Sequence, residues 1–328
     1  MLRNFFKAAL RNLIRYKTFS FINLAGLAIG LACFVFIALF IQDELSYDRF
    51  HQKRDRIYRL VSIERDGDGT TGTARVSAQW GPALQEAIPE ISASVRFRFY
   101  GRTLVSSGDT HFYESNCLFA DSTLFEIFTF PMLHGNPKTA LAAPNSVVLT
   151  EALAHKYFGD ENPVGKNLRF DNQVSYQVTG VVENVPDNSH FRFDFLVSFA
   201  TYEFWDLDVW TVNNFHKYLL LAPGTSAEAV EAKIPALLKS RMGEDDFNAM
   251  ETVQRLQPLT RIHLHSHLFR EFEPNSDIAY VYLFAAIAFF VLLIACINFM
   301  NLSTARASKR TREVGMRKAV GAQRRPLM

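Results

Sequence analysis

The sequence predicts an α+β membrane protein in which two transmembrane helices flank a mixed α/β extracytoplasmic domain. Three observations support this: two long runs without a charged residue, ordinary globular sequence between them, and basic residues concentrated outside them. With 328 residues, of which 48% are hydrophobic, the chain would pass for a soluble protein by composition alone. The distribution of the apolar residues, and not their number, therefore decides the class.

The first predicted element is an amphipathic helix over residues 1–18. Arg3, Lys7, Arg11 and Arg15 are spaced four apart, so a helix places them on one stripe and apolar residues on another. Such a helix is expected to lie in the cytoplasmic membrane interface. A basic arm for nucleic acid is the alternative, but no recognition element accompanies it, so we expect no nucleic-acid partner.

Residues 19–41 form the first predicted transmembrane helix. These 23 uncharged residues would span roughly 35 Å as a helix, enough to cross a bilayer core of about 30 Å. The run exceeds the apolar stretch of a cleaved signal peptide and is followed by no small-residue cleavage site, which favours an uncleaved anchor. Within it, Gly26 and Gly30 form a small-xxx-small pair, which predicts close packing against another helix.

Residues 42–277 are expected to fold as one extracytoplasmic α/β domain. Strands are predicted at residues 57–63, 146–150 and 191–199, the last from apolar residues that alternate with Arg192 and Asp194 at its start. Helices are predicted at residues 79–88, 151–158 and 226–240. Thr150 is the predicted N-cap and Gly159 the predicted end of the second, and the third is predicted to be interrupted or bent near Pro235. Cys117 is the one cysteine between the two apolar runs, so no disulfide framework can stabilise this domain.

Residues 278–303 form the second predicted transmembrane helix, and residues 304–328 a basic cytoplasmic segment. The two basic flanks of the chain, residues 1–41 and 304–328, carry +12 together, whereas the whole chain carries +2, so the stretch between them carries −10. By the positive-inside rule, both termini are cytoplasmic and residues 42–277 are periplasmic in a cell inner membrane.

The sequence carries little that points to catalysis. His263, His265 and His267 alternate, so a strand would present all three on one face to a metal, but no further ligand at a fixed spacing is identifiable and a solvated strand face is the preferred interpretation. Residues 159–167 depart from the phosphate-loop spacing and fit a turn better. We therefore expect no enzyme activity, no metal and no cofactor.

Several separate motifs resemble the FtsX-like permeases of ABC transporters that carry a periplasmic core domain of the MacB type. The resemblance covers nearly the whole chain. It rests on NLIRYKTFSFINLAGLAIGLA, ELSYDRFH, LFEIFTFPMLHGNP, SVVLTEALAHKYFGDENPVGK, VTGVVENVPDNSHFRFDF, the expected return strand LTRIHLHSHL, CINFMNLSTARASKR and TREVGMRKAVGA.

This resemblance implies a non-enzymatic permease subunit that takes part in efflux by mechanotransmission. A separate ABC-type ATPase would bind ATP and drive motion that the helices relay to the periplasmic side, where a substrate is exported or extracted. The other implied partners are membrane lipid, a second copy or another permease chain, and a periplasmic adaptor. The residues implied to face the ATPase are Glu313, Gly315, Arg317, Lys318, Gly321 and Ala322.

Family members continue into further membrane helices, so this chain is expected to be the amino-terminal portion of a longer permease or a truncated product. Two other functions fit the same layout. One is a two-span receptor with an extracytoplasmic sensing domain, for which the coiled-coil heptads of a signalling helix would be expected. The other is a regulator that activates a periplasmic cell-wall hydrolase, which co-purifying partners would distinguish from transport.

Overall fold

The computed structural model describes residues 17–65 and 71–319, and it divides the chain into two compact units. One unit contains the two long helices, and the other, residues 46–277, is a sheet domain. The predicted helix over residues 1–18 lies outside the described residues except at its last two positions, as do most of the loop after residue 65 and the end of the basic tail.

The helical unit is built from α1 (Lys17–Glu44) and α9 (Ile278–Ala319), which pack against each other. Their segments Ser20–Glu44 and Ile278–Asn301 are long and apolar enough to cross a membrane. Helix α1 continues three residues past the predicted boundary at residue 41, and α9 continues without a break through the predicted boundary at residue 303. The basic segment is therefore helical as far as Ala319.

Thirteen strands form a single sheet within the described residues. They are β1 (Ile57–Glu64), β2 (Gly72–Thr73), β3 (Ile91–Phe99), β4 (Thr103–Ser107), β5 (Thr110–Glu114), β6 (Cys117–Ala120), β7 (Met132–Gly135), β8 (Ser146–Thr150), β9 (Asn167–Phe170), β10 (Val174–Val182), β11 (Phe195–Ser198), β12 (His216–Leu221) and β13 (Thr252–Pro258). The order is β13-β1-β12-β3-β6-β11-β8-β10-β9-β4-β5, with β2 beside β1 and β7 beside β10. Pairs β6/β11 and β8/β10 are parallel and the others antiparallel.

Short helices cover the sheet. They are α2 (Trp80–Ala87), α3 (Leu124–Ile127), α4 (Glu151–Phe158), α5 (Ala227–Glu231), α6 (Ile234–Met242), α7 (Glu244–Ala249) and α8 (Ile262–His265). Thr150 precedes α4, but its side chain makes no capping hydrogen bond, and Gly159, at φ +61°, ends the helix as the sequence predicts. The helix predicted over residues 226–240 is two helices, because Pro235 cannot donate a hydrogen bond in a continuous helix and instead occupies the first turn of α6.

The central strands are buried on both faces, since successive side chains enter different clusters. Leu118 and Tyr218 join one cluster with the phenylalanines around Phe97, whereas Phe119 and Leu219 point to the opposite face. Such strands read as continuous apolar runs. The strand predicted at residues 191–199 is shorter in the structure, where β11 covers Phe195–Ser198. The backbone of Asp194, just before it, still accepts from the amide of Thr150 at 3.0 Å and donates to the carbonyl of Asn116 at 2.8 Å.

Candidate functional site: a buried polar junction between the two connectors and the sheet

Two segments connect the sheet domain to the long helices in sequence. The N-terminal connector, residues 46–56, follows α1, and the C-terminal connector, residues 259–277, precedes α9. These segments are the covalent attachments of the sheet domain to the long helices. The way they are fixed to the sheet is therefore the candidate site for a protein of this layout.

Asp48 anchors the N-terminal connector inside the domain. Its backbone has φ +59°, a left-handed conformation that aspartate tolerates better than most residues, and its side chain is fully buried. The Asp48 amide donates to the carbonyl of Asn188 at 2.8 Å, and Oδ1 lies 2.8 Å from Nδ1 of His190. The turn that follows α1 is thus fixed to the loop before β11.

His190 extends this contact to strand β12. Its Nε2 lies 2.6 Å from the hydroxyl of Tyr218, and both side chains are buried. Burial raises the pKa of the Tyr218 hydroxyl, so the phenol keeps its proton. On the other side of the ring, Nδ1 donates to the carboxylate of Asp48, which only accepts. Asp48, His190 and Tyr218 form one chain of hydrogen bonds from the connector to the centre of the sheet.

Arg59 on β1 anchors the C-terminal connector. Its side chain is fully buried and makes a two-pronged contact with the carboxylate of Glu271, with Nη2 to Oε1 at 3.0 Å. Nη2 also donates to Gln257 at 2.6 Å and to Ser266 at 2.9 Å. Burial alone would raise the pKa of Glu271, but the hydrogen bond and charge of Arg59 hold it below its ordinary value. Glu271 is therefore ionised and the buried guanidinium is neutralised.

The two anchors meet at one position of the sheet. Arg59 and Tyr218 are directly opposite each other on the neighbouring strands β1 and β12, and Gln257 is opposite Arg59 on β13. The connectors also contact each other, since the ring of Tyr47 stacks on that of His263 with centroids 3.3 Å apart. Both covalent attachments of the domain are thus fixed at a shared set of buried and half-buried groups, which we name the polar junction: Tyr47, Asp48, Arg59, His190, Tyr218, His263, Ser266 and Glu271.

The histidines of the C-terminal connector are arranged differently from the sequence prediction. Residues 259–261 are a 3-10 turn and α8 includes His263 and His265, so the predicted return strand is wrong. The helical turn places His263 inside the junction, whereas His265 and His267 are exposed. A period of two over so few residues could not distinguish a strand from a turn of helix. No group of three or more His, Cys, Asp or Glu residues is arranged to hold a metal within residues 17–65 and 71–319.

His51 completes the attachment of the N-terminal connector. Its Nδ1 accepts a hydrogen bond from the amide of Thr129 at 3.0 Å, and its ring packs edge-on against Phe128 and Phe130. Burial lowers the pKa of His51 to about 3, although the nearby Asp48 offsets part of the shift. His51 is therefore neutral in the folded domain at any pH near neutrality.

This histidine predicts a pH dependence of stability. The unfolded chain protonates His51 below its ordinary pKa of about 6.5, while the folded domain does not until about pH 3, so stability falls as the pH decreases through this window. At pH 5 the loss is about 2 kcal/mol for this group. His51→Asn keeps an acceptor for Thr129 and cannot titrate. Denaturant titrations at pH 7.5 and pH 5 measure the effect. Between these two pH values, the free energy of unfolding of His51→Asn should fall by about 2 kcal/mol less than that of the unmodified chain.

His155 provides the control for this experiment. Its side chain is 72% exposed, so its environment changes little on unfolding. His155→Asn should leave the difference between the two pH values unchanged. Equal pH dependence in His51→Asn and in the unmodified chain would contradict the assignment of this proton to His51.

In the helical unit, the predicted packing residues Gly26 and Gly30 face helix α9. A Cβ atom at Gly30 would lie 2.6 Å from Cβ of Ala295, and one at Gly26 would lie 3.1 Å from Nδ2 of Asn298. The aromatic pair Phe40 and Phe284 contacts nearer the other end, with centroids 5.1 Å apart. The small-xxx-small surface is thus covered by the second helix of the same chain.

The residues predicted to face an ATPase lie at the end of α9 and beyond it. Glu313, Gly315, Arg317 and Lys318 lie within the helix, and Gly315 is exposed. The side chains of Glu313, Arg317 and Lys318 lie outside the described part of the structure, as do Gly321 and Ala322 entirely. Their role in coupling stays a prediction.

Of the members of the polar junction, sequence reasoning singled out only His263, and that as a candidate metal ligand. Asp48, His190, His263 and Ser266 all lie within motifs quoted for the resemblance, but the sequence gives no reason to connect positions as far apart as 48 and 190. A usable signal was the occurrence of charged and polar residues in otherwise apolar strands. Arg59 interrupts the apolar pattern of β1, and such a residue must find a buried partner.

Comparison with known proteins supports the same family over most of the chain. The profile of the MacB-like periplasmic core domain matches residues 20–237, and that of the FtsX-like permease C-terminal region matches residues 285–328. The macrolide export ATP-binding/permease protein MacB of Marinobacter nauticus is 26% identical over 242 residues, which cover 72% of this chain and 34% of the relative. The uncharacterized ABC transporter permease YvrN of Bacillus subtilis is 24% identical over 342 residues, 98% of this chain and 80% of YvrN.

A solved structure shows the same fold for the sheet domain. It is a domain of a Porphyromonas gingivalis protein described as a permease, which superposes with a TM-score of 0.55 at 23% identity and covers 69% of this chain and 95% of that one. The fold predicted from the sequence, two long apolar helices with a mixed α/β domain between them, is confirmed. This chain spans about a third of the length of the MacB relative.

Proposed function

Because this chain belongs to the MacB and FtsX family of ABC transporter permeases, we propose that it is a transmembrane subunit that works by mechanotransmission. In this proposal a separate ATPase binds and hydrolyses ATP on the cytoplasmic side. The long helices transmit the resulting motion to the sheet domain, which exports or extracts a substrate on the periplasmic side. The chain itself has no catalytic role.

The polar junction is the observation that supports this proposal. Force can be transmitted only through segments that do not yield, and both connectors are held by buried, charge-assisted or shared hydrogen bonds at Asp48 and Glu271. A domain tethered by exposed, unpaired linkers would move independently of its helices. The stacking of Tyr47 on His263 further supports movement of the two attachments as one body.

The charge distribution supports the proposed topology. The basic flanks at residues 1–41 and 304–328 favour cytoplasmic termini in the inner membrane, and the acidic stretch between them favours a periplasmic location for residues 42–277. The ATPase would then meet the end of α9 around Gly315 and the residues that follow it. A second permease chain and a periplasmic adaptor are further proposed partners.

The experiment that tests this function is reversal of two charges at the end of α9. We expect Arg317→Glu with Lys318→Glu to reduce stimulation of the co-purified ATPase about tenfold, within the range of coupling free energies between sites, while membrane insertion is unchanged. ATPase activity in proteoliposomes and carbonate extraction of membranes measure the two effects.

Arg324→Glu with Arg325→Glu is the matched control, since it makes the same charge change a few residues further on. It should keep most of the stimulation. Full stimulation in the 317/318 variant would refute the proposed contact, and equal loss in both variants would indicate general electrostatics instead. Failure to recover any ABC ATPase with the stably inserted chain would refute the proposed function itself.

A further inference from the structure

A cleft lies on the sheet domain between strands β1 and β13 and the C-terminal connector. Its volume is about 340 Å³. Its floor is aliphatic, formed by Val61, Ile63, Leu256 and Leu268, each less than 9% exposed. Its rim is polar and basic, and is formed by Arg261, His265 and His267 of the connector with Arg255 of β13. A cleft with an apolar floor and a cationic rim suits an amphiphilic anion.

The carboxylates near this rim already have partners. Glu231 pairs with Arg255 at 3.3 Å and accepts from the amide of Leu256, and Asp277 pairs with His267 at 3.2 Å. Arg261, by contrast, makes no ion pair within the described residues and is exposed. Its charge is therefore available to a ligand.

His265 lies four positions after Arg261 in the same helical turn. The pKa of His265 is lowered by partial burial and by the charge of Arg261, which is consistent with a positive potential at the rim. His265 therefore adds a hydrogen-bonding group beside Arg261 without a second permanent charge.

The position of the cleft along the chain indicates where its ligand comes from. Asp277 directly precedes Ile278, where the apolar segment of α9 begins, so the C-terminal connector leads along the chain into a segment long and apolar enough to cross a membrane. The rim is tied to the end of this connector, because Nε2 of His267 is 3.2 Å from Asp277 and Asn275 donates to the carbonyl of Ser266 at 2.9 Å. A lipid of the surrounding leaflet is therefore the anion that membrane insertion would bring to this connector.

We propose that this cleft binds an anionic phospholipid of the surrounding leaflet. The guanidinium of Arg261 contacts the headgroup phosphate, as arginine does in planar, multidentate phosphate recognition. The aliphatic floor receives the glycerol backbone and the first methylene groups. A lipid held here ties the C-terminal connector to the membrane surface. This inference depends on membrane insertion and not on the identity of the transported substrate.

Native mass spectrometry of the full chain in detergent tests the proposal, with phosphatidylglycerol and phosphatidylcholine as probes. We expect the unmodified chain to retain phosphatidylglycerol in preference to phosphatidylcholine. Arg261→Gln should weaken this retention about fivefold, the effect of one cation near an anionic lipid surface. Arg261→Lys should keep most of it, and Arg261→Glu should weaken it further than the glutamine variant. Because Arg261 is exposed, these changes should leave the unfolding transition unchanged.

Arg169→Gln is the matched control, because Arg169 is an exposed cation that lines a different cleft, between β4, β9 and β10. It should retain the lipid like the unmodified chain. Undiminished retention in Arg261→Gln, or equal loss in Arg169→Gln, would overturn the proposal. Displacement of the lipid by an excess of inorganic phosphate would also overturn it, because the site would then be one for a free anion.

Discussion

Replacing Glu271 with alanine should lower the free energy of unfolding of the sheet domain by about 3–5 kcal/mol. The reason is that Arg59, whose side chain is fully buried, would lose the carboxylate that neutralises it. Denaturant titration followed by tryptophan fluorescence measures this loss. All three tryptophans of the chain, Trp80, Trp205 and Trp210, lie in the sheet domain, so the signal reports on that domain alone.

Glu273→Ala is the control, since this carboxylate also pairs with an arginine but the Arg192 and Glu273 side chains are each 42% exposed. Its cost should be below about 1 kcal/mol. A second test is the double variant Arg59→Met with Glu271→Leu, which removes both charges and should be more stable than Glu271→Ala. If the double variant were the less stable of the two, the unpaired charge would not be the cause of the loss.

The second large effect is expected at Gly30, where a leucine should separate helices α1 and α9. A Cβ atom there would lie 2.6 Å from that of Ala295, closer than two carbon atoms can approach. Disulfide formation after Phe40→Cys and Phe284→Cys in a cysteine-free background measures the separation, because these rings are 5.1 Å apart. We expect about a tenfold decrease in cross-linking, or about 1.4 kcal/mol, the size of interhelical packing effects in membranes.

Ala32→Leu is the matched control for Gly30→Leu, because Ala32 is exposed on the same helix. It should leave cross-linking unchanged. Adding Ala295→Gly to Gly30→Leu should restore part of the cross-linking by returning space at the contact. Unchanged cross-linking in Gly30→Leu alone would show that the two helices do not depend on this contact.

Some parts of this structure could be predicted from local sequence and others could not. SVVLT followed by EALAHKYFG predicts β8 and α4 correctly, because strand pattern, cap and terminating glycine all lie within fourteen residues. The two long helices follow from uninterrupted apolar length. β8 and α4 depend on interactions between residues close in sequence. The long helices depend on the contact of their apolar side chains with the surrounding solvent.

The sequence prediction was wrong for one short segment, whose pattern is too short to distinguish the two-residue period of a strand from the 3.6-residue period of a helix. The alternation of His263, His265 and His267 fits a strand, but the segment lies after the end of β13 and forms α8. The polar junction was not predicted for a different reason. The contact of His190 with Asp48 joins positions 142 apart, and only the fold brings them together. The same reason applies to Lys217. This lysine is buried and donates to the carbonyls of Ser77 and Ala78, which lie far from it in the sequence.

The order of strands in the sheet also affects how the domain is made. Strand β1 pairs with β12 and β13, and Arg59 meets Gln257, which is synthesised 198 residues later. At ordinary translation rates this is a delay of about 10–40 s. During this time the first strand has an open edge and Arg59 has no partner. The last strand to be synthesised, β13, therefore completes the sheet beside the first strand, β1. A pause in translation between β12 and β13 would leave an aggregation-prone intermediate at the membrane.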